Sequence, residues 1–185
     1  GEQTGITGTA GRSYGSISTP TDLGSGGGGS ASAGGGDGGG AVFLNVTDTL
    51  VINGIIQSTG GNDKHTSTVG SADGGGGSGG SIYITTNNFA GSGTINASGG
   101  CGTHNCGSGG EGGGGGGGRI AIQYTTKTYT GLIAAKGGSG SKEIGGAGTI
   151  YVKQSALTNF DLIIDNFVET AGAYTPLGTN TYTID

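Results

Sequence analysis

Methionine and tryptophan are missing from this 185-residue chain, proline and cysteine occur twice each, and only 10% of residues are charged. Each scarcity excludes something. A net charge of −5 from so few charges is not the strongly charged, Pro- and Glu-rich composition of a disordered linker. Seven Lys and Arg residues, spread singly along an acidic chain, leave no basic stripe for nucleic acid. No apolar stretch approaches the length of a membrane span. Two cysteines are too few for a small scaffold held mainly by disulfides. No signal-peptide pattern opens the chain, and Gly1 in place of an initiator methionine is expected of a piece cut from a longer protein.

What is abundant is glycine: 50 residues, where average usage gives about 13. The apolar residues fall in short β-branched runs, namely Val42-Phe43-Leu44, Leu50-Val51-Ile52, Ile55-Ile56, Ile82-Tyr83-Ile84, Ile120-Ala121-Ile122, Ile150-Tyr151-Val152 and Leu162-Ile163-Ile164. Such runs, bounded by glycine, read as buried strands of about five residues.

The runs repeat. Residues 53–61 (NGIIQSTGG), 92–100 (SGTINASGG) and 130–138 (TGLIAAKGG) align without gaps. Gly54, Gly93 and Gly131 share one column, and Ile56, Ile95 and Ile133 share another. A second block precedes each, starting near 42, 82 and 120, with a fourth copy near 150. Self-similarity of this kind is the signature of a stacked repeat array. The expected core is Val42, Leu44, Ile56, Ile82, Ile84, Ile95, Ile120, Ile122, Ile133, Ile150 and Val152. Residues 1–149 read as the glycine-rich array, and residues 150–185 as the last strand repeat with a C-terminal cap or junction, since terminal repeats of an array differ from internal ones.

Between the strand blocks lie the tracts Gly26–Gly29, Gly74–Gly77 and Gly112–Gly118. A linker reading makes them flexible. The repeat context favours extended, threefold, polyproline-II-type helices instead, which have no internal hydrogen bonds and must bond sideways to neighbours. The fold expected is therefore all-β: a short-strand repeat solenoid, parallel β-helix-like, with stacked glycine-rich polyproline-II-type tracts and almost no α-helix.

These features resemble the glycine-rich repeat regions of very large secreted or cell-surface proteins, mainly bacterial. The matching residues are Tyr14-Gly-Ser, Pro20, Leu23-Gly-Ser-Gly-Gly-Gly-Gly, Gly38-Gly-Gly-Ala-Val, Ile52-x-Gly-x-Ile, the Gly-Gly-x-Gly-Gly-Ser-Ile ending at Ile82 and the Gly-Gly-Gly-Arg-Ile-Ala-Ile ending at Ile122. The likeness covers roughly residues 10–153. In composition the tracts are also similar to the polyglycine-helix bundles of phage tail-fibre adhesins and of the anaplastic lymphoma kinase ectodomain. The resemblance implies an extracellular or cell-surface location and an architectural role.

Candidate chemistry is sparse. Cys101 and Cys106, in CGTHNC, are expected to form a local disulfide; the alternative is a thiolate metal site with His104. No cofactor is expected. Calcium is the alternative, through Asp37 and Asp73 before two strands and Glu111 as a looser equivalent, although the β-roll nonapeptide does not recur. Paired carboxylates at a defined separation, as glycoside cleavage needs, are not readable, so no catalytic residue is assigned. Asn45-Val-Thr and Asn96-Ala-Ser are glycosylation sequons. Tyr83, Tyr124, Tyr129 and Tyr151 are candidates for a saccharide-binding face, although aromatic residues on strands more often pack.

Three functions are weighed. The first is an extracellular structural module of a surface fibre, stalk or filament, not an enzyme, with itself or neighbouring modules as partner. The second is an adhesin or receptor domain that binds glycan or protein through loops 62–69 and 101–106. The third is a β-helix enzyme acting on polysaccharide.

Overall fold

The computed structural model describes residues 13–30, 33–64, 73–103, 106, 112–141, 143–167 and 175. Among them the protein is nearly all strand and irregular backbone, with essentially no helix, and none long and apolar enough to cross a membrane. Eight strands follow in order: β1 (Ala41–Val51), β2 (Ile55–Gln57), β3 (Ser81–Ala90), β4 (Thr94–Asn96), β5 (Arg119–Lys127), β6 (Leu132–Ala134), β7 (Thr149–Gln154) and β8 (Asp161–Ile163). They form two open sheets, β1-β3-β5-β7-β8 and β2-β4-β6. All pairs are parallel except the last, where β8 runs antiparallel to β7.

The sequence columns are the structural registers. Val42 pairs with Ile82, Ile82 with Ile120 and Ile120 with Ile150; Leu44, Ile84, Ile122 and Val152 form the next inward row. In the small sheet Ile56, Ile95 and Ile133 line up. Because side chains alternate across a strand, these rows face one core shared by both sheets, joined by Ile52, Phe89, Ala97, Tyr129 and Ala135.

The strand lengths differ from the expectation of about five residues. The large-sheet strands β1, β3, β5 and β7 have 11, 10, 9 and 6 residues, and the small-sheet strands have 3 each. Val42–Leu44 and Leu50–Val51, read as separate runs, belong to one strand. The polar stretch between them stays in the sheet through a bulge, a register shift between Val46 and Thr49. Carbonyls at the bulge, where the ladder is disrupted, accept from side chains: Thr86 Oγ1 donates to Asp48 O (3.0 Å) and Asn87 Nδ2 to Thr47 O (2.6 Å).

The glycine tracts run beside the sheets and are wired together by backbone hydrogen bonds. In tract 73–80, Gly75 and Ser78 donate to Gly28 O and Ser25 O. Gly76 and Gly79 donate to Gly113 O and Gly116 O, and Gly77 and Gly80 to Gly61 O and Ser58 O. Each neighbour is thus addressed by every third residue, the period of a polyproline-II helix. Tract 112–118 repeats the scheme, with Gly114 and Gly117 bonding Glu143 O and Gly146 O, and Gly115 and Gly118 bonding Gly100 O and Ala97 O.

Glycine is required by the closeness of the tracts. A Cβ on Gly115 would lie 2.0 Å from Gly77 O, and one on Gly145 would lie 2.0 Å from Gly115 O. The hydrogen that occupies that direction instead points at a carbonyl, the geometry of a Cα–H···O contact. Ordering glycine is entropically costly. Many short backbone hydrogen bonds, worth about 0.5–1.5 kcal/mol each, offset that cost where few side chains contribute.

Candidate functional site

Three places were singled out by the sequence: the two loops, the carboxylates and the tyrosines. Cys101 and Cys106 are joined by a disulfide (S–S 2.08 Å). The loop it closes is tied to the preceding repeat, because Cys101 N donates to Asn62 Oδ1 (2.9 Å) and Asp63 N donates to Cys101 O (2.9 Å). The starts of the two variable loops, at Asn62 and Cys101, therefore lie side by side. The rest of loop 62–69 beyond Lys64, together with His104 and Glu111, lies outside the described residues.

The carboxylates are in dissimilar settings. Asp37 is exposed and its Oδ1 pairs with Lys64 Nζ at 2.7 Å, whereas Asp73 is buried. Among the described residues no group of three or more His, Cys, Asp or Glu side chains converges as a metal site.

The four tyrosines do not share a face. Tyr83 stands on the outer face of the large sheet, stacked on Phe43 (5.1 Å between ring centroids). Tyr151, on the same row, packs on Phe160 (4.8 Å). Burial, with a smaller contribution from Tyr83, raises the Tyr151 phenol above its ordinary value. Tyr124 packs against the core. Tyr129 points into it, stacks on Phe89 (4.4 Å) and donates its hydroxyl proton to Gly93 O (2.8 Å). Burial raises its phenol too. Alternation assigns Tyr124 inward with Ile120 and Ile122, a signal present in the sequence. Tyr129 follows the end of β5, where no alternation rule reaches.

Part of the outer face is covered by the chain leading into the array. Ser18 O accepts from Gln123 Nε2 (3.3 Å) and Asp22 O from Ser81 Oγ (2.6 Å). Elsewhere polar side chains form a ladder of hydrogen bonds from strand to strand. Asn45 Oδ1 accepts from Thr85 Oγ1 (3.0 Å), Asn87 Oδ1 from Thr125 Oγ1 (3.4 Å) and Asn88 Oδ1 from Thr126 Oγ1 (2.5 Å). The sequon residue Asn45 belongs to this ladder and is exposed. Asn96, of the second sequon, is half-buried, and its Oδ1 accepts from Ser98 N (3.0 Å) and Ser98 Oγ (2.6 Å).

The two ends of the strand stack differ. Ile82, Ile84 and Ile95 are 0% exposed and Phe89 1%. Their register partners in the first repeat, Val42, Leu44, Ile56 and Leu50, are only partly buried. Phe43, Val51 and Ile55 are 60%, 57% and 70% exposed. The glycine column ends there as well. A Cβ on Gly131 would strike Gly93 O and one on Gly93 would strike Gly54 O, but one on Gly54 would meet nothing within 4 Å. At the opposite end, β8 lies on β7 and holds Ile150 and Val152 at 5% exposure. Among the described residues the small sheet stops one repeat earlier, at β6, with Leu132 half-exposed. An open cleft lined by Tyr124, Thr125, Lys127, Tyr129 and Gln154 lies beside that step.

Comparison of the chain with protein-family models, with curated proteins and with solved structures finds no match.

Proposed function

We propose that this chain is a non-catalytic structural module of an extracellular assembly, a parallel β-solenoid-like repeat array stiffened along one side by a polyglycine-II-type bundle. The observation that carries the reading is the wiring of the glycine tracts, in which tract 73–80 sends every third amide to the same neighbour and bonds three neighbours in turn. A backbone used this way supplies stiffness and shape and leaves little side-chain chemistry. The Cys101–Cys106 disulfide fits an oxidising location, in line with the surface proteins whose glycine-rich regions the sequence resembles.

The test is electron microscopy of the purified chain together with its mass in solution. Rod-shaped particles holding two or more copies are expected. A monodisperse monomer that binds a glycan or a protein in array screening overturns the structural reading. It would favour the adhesin alternative, which draws its support from the disulfide pinning one variable loop against Asn62 and Asp63.

A further inference from the structure

We propose that the first-repeat end, formed by β1 and β2, is a self-association surface on which a second copy of this chain sits head to head, related by a twofold axis. The inference rests on the structural reading above and specifies its partner. Four observations carry it.

First, that end exposes a cross-section of the core. The rows that are sealed in β3 and β5 emerge half-buried at Val42, Leu44, Leu50 and Ile56, flanked by exposed Phe43, Val51 and Ile55. Second, among the described residues the β1 edge has no strand beside it, so it offers a row of backbone donors and acceptors to another chain. Native edges are blunted by charged residues, proline or bulges. In β1 the bulge and the one charge, Asp48, fall in the second half, and the stretch Ala41–Val46 carries none of these devices.

Third, among the described residues the chain leading into the array does not run along this edge. Residues 18–22 approach over the outer face at Gln123 and Ser81, on β5 and β3, and not at β1. Fourth, the far end is no complement for it. There, among the described residues, β7 and the antiparallel β8 project beyond β6, so the two sheets end at different levels. A head-to-tail stack would have to seat β1 on β8 while β2 reached for β6. A twofold pairing has no such mismatch: it places β1 antiparallel to its own copy and β2 antiparallel to its own copy, extending both sheets at once. The regular stretch Ala41–Val46, ahead of the bulge, is the pairing segment. An isologous contact closes on itself, so this surface yields dimers, and longer assemblies need a second contact.

Analytical ultracentrifugation of the full chain tests the proposal. The expected species has twice the 17.5 kDa chain mass. The double variant Phe43→Lys/Asn45→Lys, on one face of the pairing segment, brings like charges together across the twofold and should be monomeric, its dissociation constant raised at least about 100-fold, with unchanged circular dichroism. A control at the far end, Leu157→Lys/Ile163→Lys, should remain dimeric. Spin labels on Asn45→Cys should lie within about 20 Å of each other. A head-to-tail stack would separate them by at least five strand spacings, roughly 24 Å.

A wild-type monomer at high concentration, an assembly indifferent to the β1 lysines, or a label distance beyond that limit each overturns the proposal. Rods that persist in the β1 variant would sink the dimer and leave the structural function standing. A glycan-binding monomer would sink both.

Discussion

On the strand side of this molecule, position is set by side chains; on the glycine side it is set by their absence. Ile82, Ile84, Ile120 and Ile122 are wholly buried, and each is held by hydrocarbon packed across one shared core. Gly77, Gly100 and Gly115 are buried too, yet what surrounds them is carbonyl oxygen. The consequence for substitution is inverted between the two regions. In the strand layer a residue is damaged by losing atoms, and in the glycine layer by gaining one.

The largest effect expected from breaking this contrast is at Phe89, 1% exposed and stacked on Tyr129. Phe89→Ala should cost about 3–5 kcal/mol, read as a lower urea midpoint at unchanged slope. Next is an adjacent pair of glycines. Gly115→Ala drives a methyl into Gly77 O and should cost about 3 kcal/mol, the upper part of the usual overpacking range. At Gly116 a Cβ has only Gly146 O nearby, at 3.9 Å, so Gly116→Ala should be neutral or stabilise by up to about 1 kcal/mol through the unfolded chain. Equal losses from both substitutions in thermal melts would refute the close-packed lattice.

The smallest effect is a pH dependence confined to the strand side. Burial raises the Tyr129 phenol above its ordinary 10.0, so the folded state holds that proton more tightly than the unfolded one. Its contribution is complete below pH 10 and is lost as pH rises through the folded value. Denaturant midpoints measured from pH 9 upward should therefore fall less steeply in Tyr129→Phe than in the parent chain.

Much of the β-layer was legible in the sequence, because its rows are periodic and apolar. The runs at Val42, Ile82, Ile120 and Ile150 mark the starts of β1, β3, β5 and β7, and the Ile56, Ile95 and Ile133 column is a true register. Strand length was not legible. Asn45–Thr49 and Thr85–Asn88 have the composition of loops, and they remain in the sheet because their side chains bond to one another across strands. Such pairing stabilises a sheet but leaves no trace in a single strand's pattern. Of the four tyrosines weighed for a saccharide face, Tyr124 and Tyr129 turn inward and pack, the commoner role of aromatic residues on strands. The wiring of the glycine tracts was beyond sequence reading for a simpler reason. Consecutive glycines are identical letters, and which of three neighbours each amide addresses is fixed by the strands that hold the tract in place.

That wiring also bears on temperature. Burying hydrocarbon gives unfolding its large positive heat-capacity change, while burying peptide groups contributes with the opposite sign, near −0.26 against +0.45 cal/K/mol/Å². Tracts such as 112–118 bury amides almost exclusively. Per residue, the chain's stability curve is therefore flatter than that of a protein held by hydrocarbon alone. It loses less on cooling, and it keeps its shape over a wider span of temperature for the same maximum stability.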